Sequence, residues 1–105
     1  EHHSNIVPWQ MIAEKQKAKV RFAPVLPDGA LDFAGFQSML SSRTKIVSLV
    51  HLSNALGTLN PLEPFFKAAK AVGAVTVADA AQSAAVLPLD VKSLQADFLV
   101  FSGHK

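Results

Sequence analysis

The sequence predicts an α/β fold with a mostly parallel sheet flanked by helices, and three observations lead to that prediction. Short apolar runs with the length of strands alternate with segments of helical periodicity. Residues 46–50 and 98–101 are nearly continuous apolar runs, as expected for strands covered on both faces. Half of the 105 residues are apolar and only 17% are charged, which is typical of the centre of a larger core. We therefore expect residues 1–105 to be part of one large domain, without an internal boundary.

The first part of the chain is predicted to contain two helices and a strand. Apolar side chains at helical spacing predict a helix over residues 5–16. Residues 19–25 alternate between apolar and polar side chains, which predicts a strand, and Pro-Asp-Gly at residues 27–29 predicts a turn. Asp32 can cap the second helix. The apolar face of that helix would consist of Phe33, Phe36 and Leu40.

The second part alternates in the same way. After the strand at residues 46–50, the order Asn60, Pro61 and Glu63 matches an N-cap, a first-turn proline and an N3 acid, which predicts a helix start. Gly73 stands where a helix C-terminus would need a glycine. The remaining predicted elements are a strand over residues 75–79, a short helix or turn over 80–85, a helical turn near 91–94 and a last strand over 98–101.

Charge and cysteine content exclude several function classes. The net charge is +2, and no aromatic residues alternate with the basic ones, so nucleic-acid binding is not indicated. The basic cluster near the start is best explained as a solvated face; it consists of Lys15, Lys17, Lys19 and Arg21. No apolar stretch approaches the roughly 20 residues of a membrane span. The chain has no cysteine, and no further ligand follows the His2-His3 pair at useful spacing, so we expect no metal site.

Polar side chains follow two of the predicted strands at the point where each strand ends. The strand at residues 75–79 ends in Asp79, with Gln82 one helical turn later, and the last strand leads into Ser102, His104 and Lys105. Ligands of α/β folds bind at the edge formed by the carboxyl ends of the strands. An acid that charges a ring nitrogen and a lysine that forms a Schiff base are the groups that pyridoxal 5′-phosphate (PLP) chemistry requires. The pattern therefore indicates a PLP site at this edge.

The chain resembles the cysteine desulfurases of the Suf type, also called the selenocysteine-lyase-like group. These are PLP-dependent enzymes of fold type I in the class V aminotransferase superfamily. Four signatures carry the resemblance in the family's order: Glu-His-His-Ser-Asn-Ile-Val-Pro-Trp-Gln at residues 1–10, Ser-Asn-Ala-Leu-Gly-Thr at 53–58, Asp-Ala-Ala-Gln at 79–82 and Ser-Gly-His-Lys at 102–105. The resemblance covers the whole chain and implies that it is the middle of the PLP-binding large domain.

The resemblance implies roles for residues in these signatures. Lys105 would form the Schiff base with the PLP aldehyde and later move protons as an acid and base. Asp79 would pair with the ring nitrogen and keep it protonated. His2, rather than His3, would stack on the ring and act on substrate protons. Gln82 would donate a hydrogen bond to the phenolic oxygen of the cofactor.

Three further positions complete the implied PLP site. Asn54 would lie by the phenolic oxygen and the substrate carboxylate. Ser102 and His104 would reach the cofactor phosphate, as a hydroxyl and an imidazole can. The loop that caps the phosphate, the nucleophilic cysteine and the arginine that binds the substrate carboxylate would lie outside residues 1–105. One departure concerns Val86 and Leu87, where many members carry histidine; it affects the subgroup more than PLP use.

The resemblance also implies a reaction and partners. The full-length enzyme would release sulfur from L-cysteine, or selenium from L-selenocysteine, and leave L-alanine. An acceptor protein would take the sulfur for iron–sulfur cluster assembly, and the enzyme would be a homodimer in the bacterial cytoplasm or a plastid. The alternatives are another class V PLP enzyme, kynureninase-like or epimerase-like, and a non-catalytic α/β module. We expect residues 1–105 alone to be inactive and poorly soluble, because the cut sheet would have open edges.

Overall fold

The computed structural model describes all residues from Glu1 to Lys105 and contains three α-helices and three β-strands. In chain order the elements are a 3-10 helix (His3–Asn5), α1 (Val7–Lys15), α2 (Phe33–Met39), β1 (Ile46–Val50), α3 (Leu62–Ala71), β2 (Val75–Asp79) and β3 (Phe98–Val100). The strands form one sheet in the order β1-β2-β3, and both pairings are parallel. The predicted α/β class with a parallel sheet is confirmed.

The strand register brings the three carboxyl ends to one edge of the sheet. Val50, at the end of β1, pairs with Asp79, at the end of β2. Asp79 in turn pairs with Val100, at the end of β3. The segments that follow the strands therefore start side by side, as parallel strands require.

The hydrophobic core lies between α3 and one face of the sheet. Helix α3 buries four side chains, Leu62, Phe65, Phe66 and Ala69. They pack with Val47 and Leu49 of β1, Ala78 of β2 and Phe36 of α2. The Phe36 and Phe65 rings have centroids 5.1 Å apart, so aromatic contact joins α2 to α3. None of the helices combines the length and apolar character needed to cross a membrane.

The predicted strand over residues 19–25 is wrong. This segment forms only one isolated antiparallel bridge, between Val25 and Leu31. Phe22 is 62% exposed, so the alternating pattern does not lay an apolar face on the sheet. An extended segment becomes a strand only when a neighbouring strand forms backbone hydrogen bonds along it. The alternating sequence pattern does not reveal whether such a neighbouring strand exists.

The predicted capping of α3 by Asn60 is also wrong, although the helix itself is confirmed. Pro61 occupies the N-cap and no side chain caps the helix. The buried Asn60 side chain is used elsewhere, because its Nδ2 donates to the Val50 carbonyl at 3.1 Å and its Oδ1 accepts from the Leu31 amide at 3.3 Å. By contrast, the predicted cap by Asp32 is confirmed, since its side chain accepts from the Gly35 amide. Gly73 follows α3 with φ +84°, as the helix-ending prediction requires.

Other predicted boundaries shift by a few residues. The first helix, predicted over residues 5–16, divides into the 3-10 helix and α1, and Leu40 lies at the C-cap of α2. The segments near residues 80–85 and 91–94 are turns, and β3 ends one residue early. The strands are less covered than predicted: Ile46 is 46% exposed and Phe98 is 61% exposed, because only one face of the sheet carries α3.

Candidate active site

A cavity of about 200 Å³ lies at the carboxyl edge of the sheet. All seven residues predicted for the site line it: His2, Asn54, Asp79, Gln82, Ser102, His104 and Lys105. They come from four separate segments of the chain. The parallel register brings together the three segments that follow the strands, and a hydrogen bond from the Ser48 hydroxyl to Asn5 Oδ1 attaches the segment with His2 to β1. Ligand pockets usually enclose roughly 300–1,000 Å³, so these residues form part of a wall rather than a closed pocket.

Asp79 is buried and firmly held at the cavity. It is only 5% exposed and lies at the end of the central strand. Its Oδ1 accepts from the Ala81 amide at 3.1 Å, and its carbonyl accepts from the His51 amide at 2.9 Å. The Ala80 amide donates to the Val100 carbonyl at 2.8 Å, so the chain after Asp79 is tied to β3 as well. A carboxylate fixed in this way is presented to the cavity in one orientation.

The turn after Asp79 brings Gln82 against Asn54. The Gln82 Nε2 donates to the Asn54 Oδ1, which joins the segment after β2 to the segment after β1. Because the Asn54 oxygen is used in this contact, its amide NH₂ is the group left to donate elsewhere. On the opposite face of this turn, the buried Ser83 hydroxyl lies 3.0 Å from His51 Nδ1.

Glu1 is a cavity residue that sequence reasoning missed. Its Oε2 accepts from the Ser53 hydroxyl at 2.5 Å, and its Oε1 accepts from the Asn54 amide at 2.9 Å. Partial burial would raise the pKa of the Glu1 carboxyl, but hydrogen bonds from the Ser53 hydroxyl and two backbone amides hold the pKa below its ordinary value. The sequence features that could have indicated this contact are the acid that begins the signature at residues 1–10 and the Ser-Asn pair that begins the signature at 53–58.

His2 is placed at the cavity by contacts on both sides of it. Its Nδ1 accepts from the Ser4 amide at 3.2 Å and lies 2.9 Å from the Ser4 hydroxyl. An imidazole nitrogen that accepts from a backbone N–H carries no proton, so the neutral ring bears its proton on Nε2. Asn5 Oδ1 accepts from Trp9 Nε1 at 2.7 Å and from the Ser48 hydroxyl at 2.6 Å, which fixes this segment to β1. His3 does not line the cavity.

Ser102, His104 and Lys105 reach the cavity from the end of β3. Ser102 is half-buried, whereas His104 and Lys105 are exposed. The backbone of Lys105 makes one contact, a 3.4 Å hydrogen bond to the Ser102 carbonyl. The structure thus brings the predicted amine to the same cavity as the predicted acid.

A second hollow of about 450 Å³ lies around His51 and the start of α3, and it is more open to solvent. It contains none of the residues predicted for the site. Burial lowers the pKa of His51 below its ordinary value. No group of three or more histidine, cysteine or acidic residues could hold a metal ion. The cavity at the sheet edge is therefore the candidate active site.

Comparisons of sequence and of structure with known proteins both find cysteine desulfurases. A probable cysteine desulfurase of Streptomyces coelicolor is 50% identical over all 105 residues, which cover 25% of that protein. The apo structure of the cysteine desulfurase from Thermococcus onnurineus NA1 matches 100% of this chain and 26% of its own, with 45% identity and a TM-score of 0.92. A structure of SspA in complex with cysteine matches with 25% identity and a TM-score of 0.85, over 98% of this chain and 30% of its own.

The chain spans about a quarter of the length of the curated relatives that it matches. The similarity to cysteine desulfurases is the one that the four sequence signatures predicted, and it extends to the backbone. Enzymes of this kind use PLP as their cofactor. The family model for class V aminotransferases matches residues 1–105, and the chain therefore belongs to the aminotransferase class-V family.

Proposed function

We propose that this chain provides the PLP-binding part of a cysteine desulfurase, which converts L-cysteine to L-alanine and transfers the sulfur atom to a thiol. The observation that carries the proposal is the convergence of all seven predicted residues on one cavity at the carboxyl edge of the sheet. Residues as far apart in sequence as His2 and Lys105 line that single cavity. Relatives named as cysteine desulfurases at 50% identity support the same reaction.

The donor set of the cavity suits PLP group by group. Asp79 offers a carboxylate for the ring nitrogen, and Asn54 and Gln82 offer amide N–H groups for the phenolic oxygen. Ser102 and His104 offer a hydroxyl and an imidazole for the phosphate. The cavity is smaller than most ligand pockets and is open on one side. That open side leaves room for groups from outside residues 1–105 to complete the phosphate site.

Each residue has a task that follows from its chemistry. Bound PLP supplies an electron sink for the pair of electrons left at the α-carbon of an amino acid. The Asp79 carboxylate would hold a proton at the ring nitrogen by charge pairing, and its bond from the Ala81 amide keeps it oriented. The Lys105 amine would hold the cofactor covalently and then accept and return a proton at the substrate α-carbon.

His2 would act beside Lys105 on substrate protons. The Ser4 amide fixes its Nδ1 as an acceptor, so Nε2–H is the group with which the neutral ring can donate a hydrogen bond. The chain has no cysteine. The thiol that accepts the sulfur must therefore be supplied from outside residues 1–105. The complex of SspA with cysteine supports L-cysteine as the substrate.

The test uses the longest natural chain that contains residues 1–105. We expect it to bind PLP with a visible absorption band and to form L-alanine and sulfide from L-cysteine with a thiol reductant. Borohydride reduction followed by peptide mapping should place the pyridoxyl label on Lys105. Lys105→Ala should retain noncovalent PLP but lose turnover, while the exposed Lys92→Ala control should behave like the parent.

Three results would contradict the proposal: a label on another lysine, absence of PLP binding, or PLP chemistry without alanine formation. L-kynurenine, L-selenocysteine and L-cysteine assayed side by side separate the related class V activities. We further propose that the full-length enzyme is a homodimer that passes sulfur to an acceptor protein for iron–sulfur cluster assembly. Light scattering tests the dimer, and transfer of radiolabelled sulfur to a candidate acceptor tests the second step.

A further inference from the structure

Glu1 joins two segments of the cavity that lie far apart in the chain. One peptide bond separates it from His2, and its carboxylate contacts the segment that carries Asn54. Both His2 and Asn54 line the candidate active site. The Glu1 side chain belongs to the segment with His2 and binds the segment with Asn54. It therefore sets the distance between these two segments.

The contacts made by Glu1 use both carboxylate oxygens. Oε2 accepts from the Ser53 hydroxyl at 2.5 Å, and Oε1 accepts from two backbone amides, Asn54 at 2.9 Å and Ala55 at 3.2 Å. Hydrogen bonds to an ionised acceptor are roughly twice as strong as neutral ones. Glu1 therefore holds the backbone on both sides of the Asn54 side chain.

The segment that Glu1 holds is a tight turn over residues 53–57, which we call the Asn54 loop. Ser53 is buried, and its hydroxyl oxygen accepts from the Leu56 amide at 3.0 Å. The loop closes through a 3.1 Å bond from the Gly57 amide to the Ser53 carbonyl, and Gly57 has a φ of +71°. Only Ser53 anchors the loop inward, since Asn54, Ala55 and Leu56 are exposed. Without Glu1, the Asn54 amide would lose its acceptor, whereas the Ala55 amide would keep a 3.2 Å bond to the Ser53 hydroxyl oxygen.

We infer that Glu1 is a positioning residue, which fixes the Asn54 loop and His2 relative to each other in the cavity. It touches neither substrate nor cofactor in this role and acts through the backbone amides and the Ser53 hydroxyl. The inference deepens the proposed function and rests on it for the effect on PLP. Its effect on the loop does not require a cofactor.

The first experiment measures hydrogen exchange of the Asn54 and Ala55 amides in the longest natural chain, without added PLP. Glu1→Ala should speed exchange of the Asn54 amide by roughly tenfold or more, because it removes the charged acceptor of that amide. The Ala55 amide should respond less, because it also donates to the Ser53 hydroxyl oxygen. Glu1→Gln should give a smaller increase, because its amide oxygen can replace one carboxylate oxygen. The control is Glu14→Ala, which removes the same charge from an exposed position of α1 and should change neither amide.

The second experiment measures the bound cofactor and turnover in the same variants. Glu1→Ala should change the visible circular dichroism of bound PLP and lower kcat by roughly tenfold to a hundredfold, because small displacements of reacting groups are costly. Ser53→Ala should add little to Glu1→Ala in the double variant, because both residues belong to one hydrogen-bond network. Thermal unfolding confirms that each variant is folded.

The outcomes separate the inference from the proposed function. Unchanged exchange at Asn54 and Ala55 in Glu1→Ala overturns the inference, whatever the activity. Faster exchange with unchanged circular dichroism and kcat also overturns it, because the loop would then not position the site. A parent protein that binds no PLP overturns the proposed function, while the exchange data still decide whether Glu1 holds the loop.

Discussion

The ends of β2 and β3 have the same design in sequence but differ in structure. Each strand leads from apolar residues into polar groups of the candidate active site. Asp79, at the end of β2, is 5% exposed and its carboxylate, carbonyl and following amides are all hydrogen-bonded. Lys105, beyond the end of β3, is exposed and held by one 3.4 Å backbone bond.

The difference follows from the position of each strand in the sheet. β2 is central, so β1 and β3 both supply hydrogen-bond partners to its end. β3 pairs on one side only, and its outward residues Phe98 and Val100 are 61% and 48% exposed. An end with a neighbouring strand on each side, such as that of β2, can therefore hold a charged side chain in a fixed orientation.

The largest effect expected from this comparison is on turnover. In the longest natural chain, Asp79→Ala should reduce kcat by orders of magnitude while much of the PLP stays bound, because the lost carboxylate controls the ring nitrogen rather than retention. Ser102→Ala should instead weaken PLP binding with a smaller effect on kcat. Steady-state kinetics and PLP titration distinguish the two. Near-normal turnover in Asp79→Ala would remove Asp79 from its proposed role.

Stability should show the same contrast between the two strands. Phe66→Ala, in α3 beneath β1 and β2, should cost about 3–5 kcal/mol of unfolding free energy, because the side chain is fully buried. Phe98→Ala in β3 should cost far less, because that ring is 61% exposed. Urea unfolding measures both, and Phe66→Leu serves as a milder variant. Equal losses would mean that another part of the full-length protein covers β3.

The edge where β1 and β2 end should also respond to pH, through His51, which follows β1 and donates its amide to the Asp79 carbonyl. Burial lowers its pKa below the ordinary value of 6.5, so the folded state binds fewer protons than the unfolded state below that pH. The contribution of His51 to stability is therefore complete above pH 6.5 and is lost as pH falls toward the folded-state pKa. The slope cannot exceed about 1.4 kcal/mol per pH unit for one proton.

Unfolding measured between pH 7 and pH 5 tests this dependence. His51→Gln should flatten the curve, since glutamine does not titrate but can still bond to the Ser83 hydroxyl. The other three histidines, His2, His3 and His104, are exposed and provide substitution controls. The same slope in His51→Gln and the parent would assign the pH dependence to other groups.

Local patterns predicted more of this molecule than contacts between distant segments. The Asp32 cap, Gly73 and the three sheet strands were found correctly, because periodicity and turn chemistry are properties of neighbouring residues. The Asn60 cap failed because that side chain bonds to Val50 and Leu31 instead. The predicted strand at residues 19–25 failed because no neighbouring strand pairs with it.

The candidate site shows the same difference between local patterns and contacts between distant segments. Its seven residues were named from signatures; the parallel register and the Asn5–Ser48 hydrogen bond explain why they meet. Glu1 was missed because its partners are 52 to 54 positions away and are mostly backbone amides, which leave no mark in side-chain composition. The hydrogen-bond partners at the end of each strand could not be predicted for a related reason. Whether a strand is central or at the edge depends on its partners and not on its own residues.

The smallest predicted effect concerns how the edge strand is attached. Asp97, just before β3, accepts from the Thr76 amide at 2.8 Å and the Thr76 hydroxyl at 2.9 Å, and its Oδ1 lies 3.0 Å from Lys70 Nζ. The hydrogen bond from the Thr76 amide is the main reason why the pKa of Asp97 lies below its ordinary value, and the hydrogen bond from the Lys70 side chain is the second. The edge strand is thus anchored at its start, mainly by uncharged donors.

We therefore expect Lys70→Met to lower stability only slightly, and less still in high salt, because the exposed ion pair is screened. Asp97→Ala should lower stability more, because it leaves the amide of the fully buried Thr76 without its acceptor, while the Thr76 hydroxyl keeps the Gln95 carbonyl. Lys67→Met, on the same helix and without an ion pair, is the matched control. Urea unfolding at low and high salt measures all three variants. A loss in Lys70→Met as large as that in Asp97→Ala would show that the ion pair, rather than Thr76, anchors β3 to β2.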